Sequence, residues 1–342
     1  MDQKPESNDA VLHIQNLRKL FPVSRGIVGT LRRKPRRYVH AVDGVTLSMR
    51  RGEILGLVGE SGSGKSTTAL NVLGLIEPTE GEILFDGQSV PELAHGRERL
   101  RLRRQMQIVF QDPYEALNPR QTVYSTVAEP LEVHKLARDD QHKVERVMAA
   151  LDAAGLKPPD TFFDRYPQEL SGGQRQRLVI AGALVLDPEF LVADEPVSML
   201  DVSIRADILN LLRDLRDERG ITILYITHDL ATAAFFTDRV AVMYLGKIVE
   251  IGPTLTVLHN PQHPYTQALL SVIPVPNPRQ RRKRVILVGE TPNPIDLPSG
   301  CRFHPRCPQS FDQCPETEPL LRSVGPDHQV ACLLADSSEN GT

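Results

Sequence analysis

The chain has 342 residues, 40% of them hydrophobic, which suits one large folded domain, or one domain with an extension, built around a real core. A formal net charge of -3 excludes a global nucleic-acid signature, and the two local basic runs, residues 32–37 and 279–284, read as solvated loops. The longest apolar stretch, residues 178–186, falls far short of the ~20 residues of a bilayer span, and the leading MDQKPESNDA shows no export signal, so a cytoplasmic chain is expected.

In chain order, residues 11–21 and 42–49 carry the alternating, β-rich pattern of half-buried strands, and the polar, basic segment 22–40 between them reads as a long loop. Residues 53–58 form a short buried strand that runs into a glycine-rich loop, and 65–76 read as the helix behind it. A strand follows at 106–110. Between 118 and 185 helical spacing takes over, with Val144, Val147, Met148 and Leu151 recurring every three or four residues. Strands at 190–193, 221–227 and 239–244 then alternate with a helix at 202–218. The pattern predicts an α/β fold with a mostly parallel sheet, N-terminal antiparallel strands and a helical subdomain inserted at about 112–185. Beyond Pro253 prolines accumulate, so residues 1–258 are expected to form the main domain and 259–342 a small separate appendage.

The loop Gly59-Glu60-Ser61-Gly62-Ser63-Gly64-Lys65-Ser66, followed by Thr67, fits the phosphate-binding pattern G-x-x-x-x-G-K-[ST]. There, backbone N–H groups wrap phosphates, Lys65 reaches the β- and γ-oxygens, and Ser66 binds Mg²⁺. Leu170-Ser171-Gly172-Gly173-Gln174 is a second glycine-rich anion site, placed where a helix is expected to begin at Gln174. Two such sites in one chain, together with Asp194 and Glu195 directly after an apolar strand, resemble the ABC-type ATPases.

That resemblance implies a dimer in which each ATP lies between the lysine loop of one subunit and the LSGGQ loop of the other. By the same resemblance Asp194 helps hold Mg²⁺ through water, and Glu195 is the general base for the attacking water. His228 contacts the γ-phosphate, Gln111 senses Mg²⁺ and the γ-phosphate, and Asp201 crosses the dimer interface. Met199 departs from the alanine common at its position. Adenine is expected to stack on Phe21, with Tyr38 as the alternative.

The segments 111–120 (QDPYEALNPR) and 263–270 (HPYTQALL) and the cysteine-bearing tail narrow the resemblance to the ATPase subunits of bacterial dipeptide/oligopeptide importers. The basic insert before Ala41 is most similar to the F-type subunit of the dipeptide systems. Importers of nickel or glutathione belong to the same group and remain the alternative. A non-transport ABC ATPase is disfavoured because there are neither long heptad repeats nor a second cassette. The implied partners are a second, D-type ATPase subunit, two membrane permeases and, through them, an external solute-binding protein, with no nucleic acid. The location implied is peripheral, on the cytoplasmic face of the bacterial inner membrane, with the loop 112–120 receiving a permease coupling helix.

The tail holds all four cysteines, spaced Cys301-x5-Cys307-x6-Cys314-x17-Cys332. Four thiols suit zinc or an iron–sulfur cluster, and a reducing compartment favours metal over disulfides. The resemblance favours a 4Fe-4S cluster, with Zn²⁺ as the alternative. His304 reads as a surface residue.

Overall fold

The computed structural model describes residues 10–25, 36–96, 98–273, 285, 287 and 289–335. In chain order the strands are β1 (Ala10–Pro22), β2 (Tyr38–Arg50), β3 (Ile54–Val58), β4 (Glu80–Phe85), β5 (Gln88–Ser89), β6 (Met106–Val109), β7 (Phe190–Asp194), β8 (Thr222–Thr227), β9 (Arg239–Tyr244), β10 (Lys247–Pro253), β11 (Arg322–Gly325) and β12 (His328–Val330). They divide between two compact units, one built chiefly from Val90–Ile226 with Met49–Ile54, the other from Val11–Ser48, Leu55–Ser89 and the chain from Thr227 onward.

In the first unit β6, β7 and β8 pair in parallel, with Met106 opposite Phe190 and Phe190 opposite Thr222. Every residue of β8 is buried, so its sequence shows no alternation; the apolar run 223–226 between Thr222 and Thr227 is that of a strand covered on both faces. The predicted helical subdomain contains helices Val123–Val133, Asp140–Ala153 and Gly172–Leu184, which pack on one another. Asp139 caps the second of these by accepting the His142 N–H. Its buried face is Val147, Ala150 and Leu151, whereas Met148, predicted to be part of the apolar stripe, is 38% exposed. The long helix Val202–Arg219 stops at Gly220, whose φ of 69° is the left-handed conformation that ends a helix at least cost to glycine.

In the second unit β2, β1, β4 and β5 lie side by side in that order, β1 antiparallel to β4. Here β3 pairs in parallel with β9, and β9 turns back on β10 through Leu245-Gly246, both with positive φ, a turn suited to the twist of antiparallel strands. The helix after the glycine loop ends at Val72, one turn short of the expected 76.

The tail differs most from expectation. The sequence predicts a small separate appendage there, yet β12 pairs with β10, placing Val330 opposite Glu250, and β11 extends the same edge. Phe303, 1% exposed, enters the unit's core beside Tyr244, Tyr265, Val249 and Leu270. A strand edge and a buried ring join the tail to this unit.

Candidate functional site

In the second unit, β3 delivers the chain into the loop 59–64 and helix Lys65–Val72 leaves it, a strand–loop–helix order that aims a helix N-terminus at the loop. The glycines are required sterically. A Cβ on Gly59 would lie 2.2 Å from the Met243 carbonyl oxygen, and one on Gly64, whose φ is 106°, would lie 2.1 Å from that of Ala41. Gly62, at φ 77°, supplies the other left-handed turn.

Lys65 is buried, and its Nζ donates to the carbonyls of Gly59 at 2.8 Å and Glu60 at 2.9 Å, so the ammonium is folded into the loop. Ser61 and Ser66 are exposed and Thr67 is half-buried. Ser63 is buried, its N–H donates to Glu60, and its hydroxyl has no hydrogen-bond partner, an orphaned polar group of the kind a phosphate loop offers its ligand. The set of glycine cradle, lysine and serine hydroxyl fits a Mg²⁺-bound nucleotide.

Glu60 is held on every side. Its N–H donates to the Tyr265 hydroxyl at 2.9 Å, and its carboxylate accepts from both Arg306 amino groups at 2.9 and 3.2 Å and from Thr291 at 2.7 Å. Burial pushes this carboxyl up, but the Arg306 and Thr291 hydrogen bonds outweigh it and hold the group below the usual carboxylate range. Neither Arg306 nor Thr291 was singled out in the sequence, because Arg306 lies 246 positions from its partner.

Elsewhere in this unit Phe21 is 39% exposed near the end of β1, with the Lys19 ammonium 5.1 Å from its ring centre. Tyr38, half-buried, begins β2, and the Val23 N–H donates to the Arg37 carbonyl, so both aromatic candidates sit at the same end of neighbouring strands. His228 is exposed directly after β8, next to Asp229, which caps helix Leu230–Phe236.

The first unit carries the remaining residues. Asp194 closes β7 opposite Ile226, and Glu195 follows with φ 46°, a left-handed conformation that a non-glycine residue adopts only under constraint. The Glu195 N–H donates to the Ile226 carbonyl at 2.9 Å, and Gln111 Nε2 donates to its carboxylate at 3.3 Å. The structure thus brings Gln111 and Glu195 together.

Ser171 caps helix Gly172–Leu184 reciprocally with Gln174: the Gln174 N–H donates to the Ser171 hydroxyl, and the Ser171 N–H to the Gln174 side chain. The helix therefore begins at Gly172, two residues before the predicted start. Gly173 is buried, and a Cβ there would lie 2.7 Å from the Ile204 side chain, so a larger residue would have to push that side chain aside. Asp201 is exposed at the N-cap of Val202–Arg219 with no side-chain capping bond. The segment read as the loop 112–120 contains a one-turn helix, Pro113–Ala116, capped by Asp112. Its Tyr114 is 62% exposed under the Arg175 guanidinium, 4.2 Å from the ring centre.

In the tail all four cysteines are free thiols, and the Cys301 N–H donates to the Cys314 carbonyl at 2.8 Å. Burial pushes the Cys301 thiol up to about 11, with the charges of Cys314, Cys332 and Cys307 adding. Among the described residues no group of three or more His, Cys, Asp or Glu side chains is arranged to hold a metal ion. The cluster expected on these thiols finds no preformed donor set in this arrangement. Sequence reading also missed Glu250, fully buried on β10, whose carboxylate accepts from the backbone of Gln262 and His263 and from His328 Nε2 at 2.8 Å.

A family model described as ABC transporter matches residues 42–198, and one described as the C-terminal region of oligopeptide/dipeptide transporters matches residues 249–314. The oligopeptide transport ATP-binding protein AppF of Bacillus subtilis is 46% identical over 332 residues, 96% of this chain and 98% of the relative. The dipeptide transport ATP-binding protein DppF of Haemophilus influenzae is 44% identical over 337 residues, 98% of this chain and all of the relative. A solved structure of the ATP-binding cassette MJ0796, described as a dimeric post-hydrolysis state bound to ADP and Pi, is similar at 30% identity and a TM-score of 0.61, covering 71% of this chain and 98% of that one. With this phosphate loop and these relatives, the chain belongs to the ATP-binding proteins of ABC transporters, in the group that carries the oligopeptide/dipeptide C-terminal region.

Proposed function

We propose that this chain is the ATP-hydrolysing subunit of a bacterial peptide importer. The observation that carries the reading is the glycine cradle with Lys65 folded into it, joined in one unit to the oligopeptide/dipeptide-type tail. On this reading Lys65 meets the β- and γ-phosphates, Ser66 and Gln111 are oxygen donors for Mg²⁺, and Asp194 helps hold it through water; when bound, Mg²⁺ would neutralise phosphate charge. Glu195 takes a proton from the attacking water, held in place by its backbone bond to Ile226 and by Gln111. His228 contacts the γ-phosphate. Adenine stacks on Phe21, the more exposed of the two rings weighed for it, rather than Tyr38.

Ser171, Gly172, Gly173 and Gln174 offer a helix N-terminus to the nucleotide of a second ATPase subunit. The exposed apolar Met199 and Val202 beside Asp201 support such a partner. No described helix is long and apolar enough to cross a membrane, so transport requires separate permeases, with the chain docked peripherally on the cytoplasmic face and Tyr114 in the docking turn. The peptide substrate rests on the names of the relatives. On this reading residues 1–258 carry the ATPase and 259–342 form an extension anchored on β10, and a metal on the four cysteines rests on donor chemistry alone.

Purification from native membranes tests the transport role. Recovery with two multi-span proteins supports it; stable recovery without them, from cells taking up peptide, contradicts it. Iron, zinc and sulfide analysis of anaerobically purified protein tests the cysteine proposal, which fails if neither metal is present.

A further inference from the structure

We propose that Arg306 is a positioning residue for ATP: acting through Glu60, it holds the phosphate loop in its receiving shape, so the C-terminal extension sets nucleotide affinity. The inference rests on the ATP-binding reading of the loop and goes beyond it by assigning a role to the tail.

Glu60, the second residue of the loop, has every polar group engaged. Its carbonyl accepts from Lys65 Nζ at 2.9 Å and from the Ser63 N–H at 3.2 Å, both inside the loop. Its N–H and carboxylate are taken by Tyr265, Thr291 and Arg306, all from the extension. One residue therefore joins the ammonium that meets phosphate to three side chains of the tail.

Arg306 is well placed for this work. Its side chain is 9% exposed, and its two amino groups engage the two carboxylate oxygens separately, a fork that fixes the orientation of Glu60 as well as its charge. The guanidinium stands on a single turn, His304–Arg306, whose Arg306 N–H donates to the carbonyl of Phe303. The Phe303 ring is locked against Tyr244 at 5.2 Å and Tyr265 at 5.4 Å between ring centres. A rigid path thus runs from the core through Phe303 and Arg306 to Glu60 and Lys65.

Charge gives the second reason. An unpaired carboxylate at residue 60 would repel the polyphosphate and compete with it for the Lys65 ammonium. The Arg306 fork occupies both oxygens and removes that competitor. Loss of Arg306 should therefore weaken ATP binding more than it slows the chemical step.

The test is titration of the full chain with a fluorescent ATP analogue and Mg²⁺, alongside steady-state ATP hydrolysis and thermal melting. Arg306→Ala is expected to raise Kd and KM for ATP about tenfold, as for losing a charge-assisted, two-point contact, with the smaller change in kcat. Arg306→Lys, which keeps the charge but not the fork, should fall between the two. Glu60→Gln should abolish most of the Arg306→Ala penalty, because the arginine acts through that carboxylate. The proposal is overturned if Arg306→Ala, or Arg306→Lys should the alanine variant not fold, lowers the melting temperature while leaving Kd within about twofold of the unmodified chain. It is equally overturned if the Arg306→Ala penalty persists undiminished in the Glu60→Gln background. Failure of the ATP reading would look different: the unmodified chain would not bind the analogue, or Lys65→Ala would bind it equally well.

Discussion

Phe303→Ala tests whether the tail is part of the folded core. The ring is 1% exposed and lies within 5.2 to 5.6 Å, centre to centre, of Tyr244, Tyr265 and His263. Truncating a buried phenylalanine removes its transfer free energy and leaves a cavity, together about 3–5 kcal/mol. The aromatic pairs add about 0.5–1.5 kcal/mol each beyond area, which places the expected loss toward the upper end. The chain has no tryptophan, so urea unfolding is best followed by far-ultraviolet circular dichroism, with Phe303→Leu as the control that keeps most of the apolar volume but not the ring. The leucine variant should recover much of the loss. A loss below about 1 kcal/mol for the alanine variant would refute the reasoning, since it would mean the tail melts independently of the core it enters.

Three further outcomes are expected. Gly64→Ala forces a Cβ to 2.1 Å from the Ala41 carbonyl and must hold a φ of 106°, so it should destabilise by about 2–5 kcal/mol and abolish nucleotide binding, as calorimetry and analogue titration would read. Burial drives His263 down to about 4, the Glu250 carboxylate offsetting part, and its Nδ1 accepts the Tyr265 N–H, which requires the neutral ring. Between the ordinary histidine range near 6.5 and about 4 the unfolded chain therefore binds the extra proton, so stability should fall by up to about 3 kcal/mol as pH is lowered through that window, and His263→Gln should flatten this part of the melting profile. Tyr114→Ala removes an exposed ring from beneath Arg175, and should cost under about 1 kcal/mol in stability while reducing ATP-driven uptake in reconstituted vesicles; unchanged uptake would exclude it from the docking turn.

The phosphate loop was legible in the sequence because its chemistry is local. The glycines recur at the spacing the loop's left-handed turns at Gly62 and Gly64 demand, and the lysine follows at fixed spacing, although the carbonyls that Gly59 and Gly64 make room for, Met243 and Ala41, lie far away in the chain. The parallel strands β3, β7 and β8 were legible too, since burial on both faces writes continuous apolar runs. What stayed hidden depends on tertiary partners. Met148 has the right spacing for the apolar face, yet packing selects Ala150 instead. β10 alternates weakly because Glu250 points inward, its charge satisfied by His328 from a strand 78 positions away. β11 and β12, four and three residues long, exist because the edge of β10 templates them. The tail's cysteines drew notice by composition, while Arg306 among them, which reaches the phosphate loop, carried no local signal.

The most direct test of the central claim is ATP binding and hydrolysis by Glu195→Gln. Glutamine preserves the shape and the neighbourhood of Gln111 and Ile226 but cannot accept the water proton. ATP binding is expected to stay close to that of the unmodified chain, with hydrolysis reduced about 10²- to 10⁴-fold, the ordinary worth of a general base. Hydrolysis retained at near the original rate would contradict that claim and remove Glu195 from the chemistry.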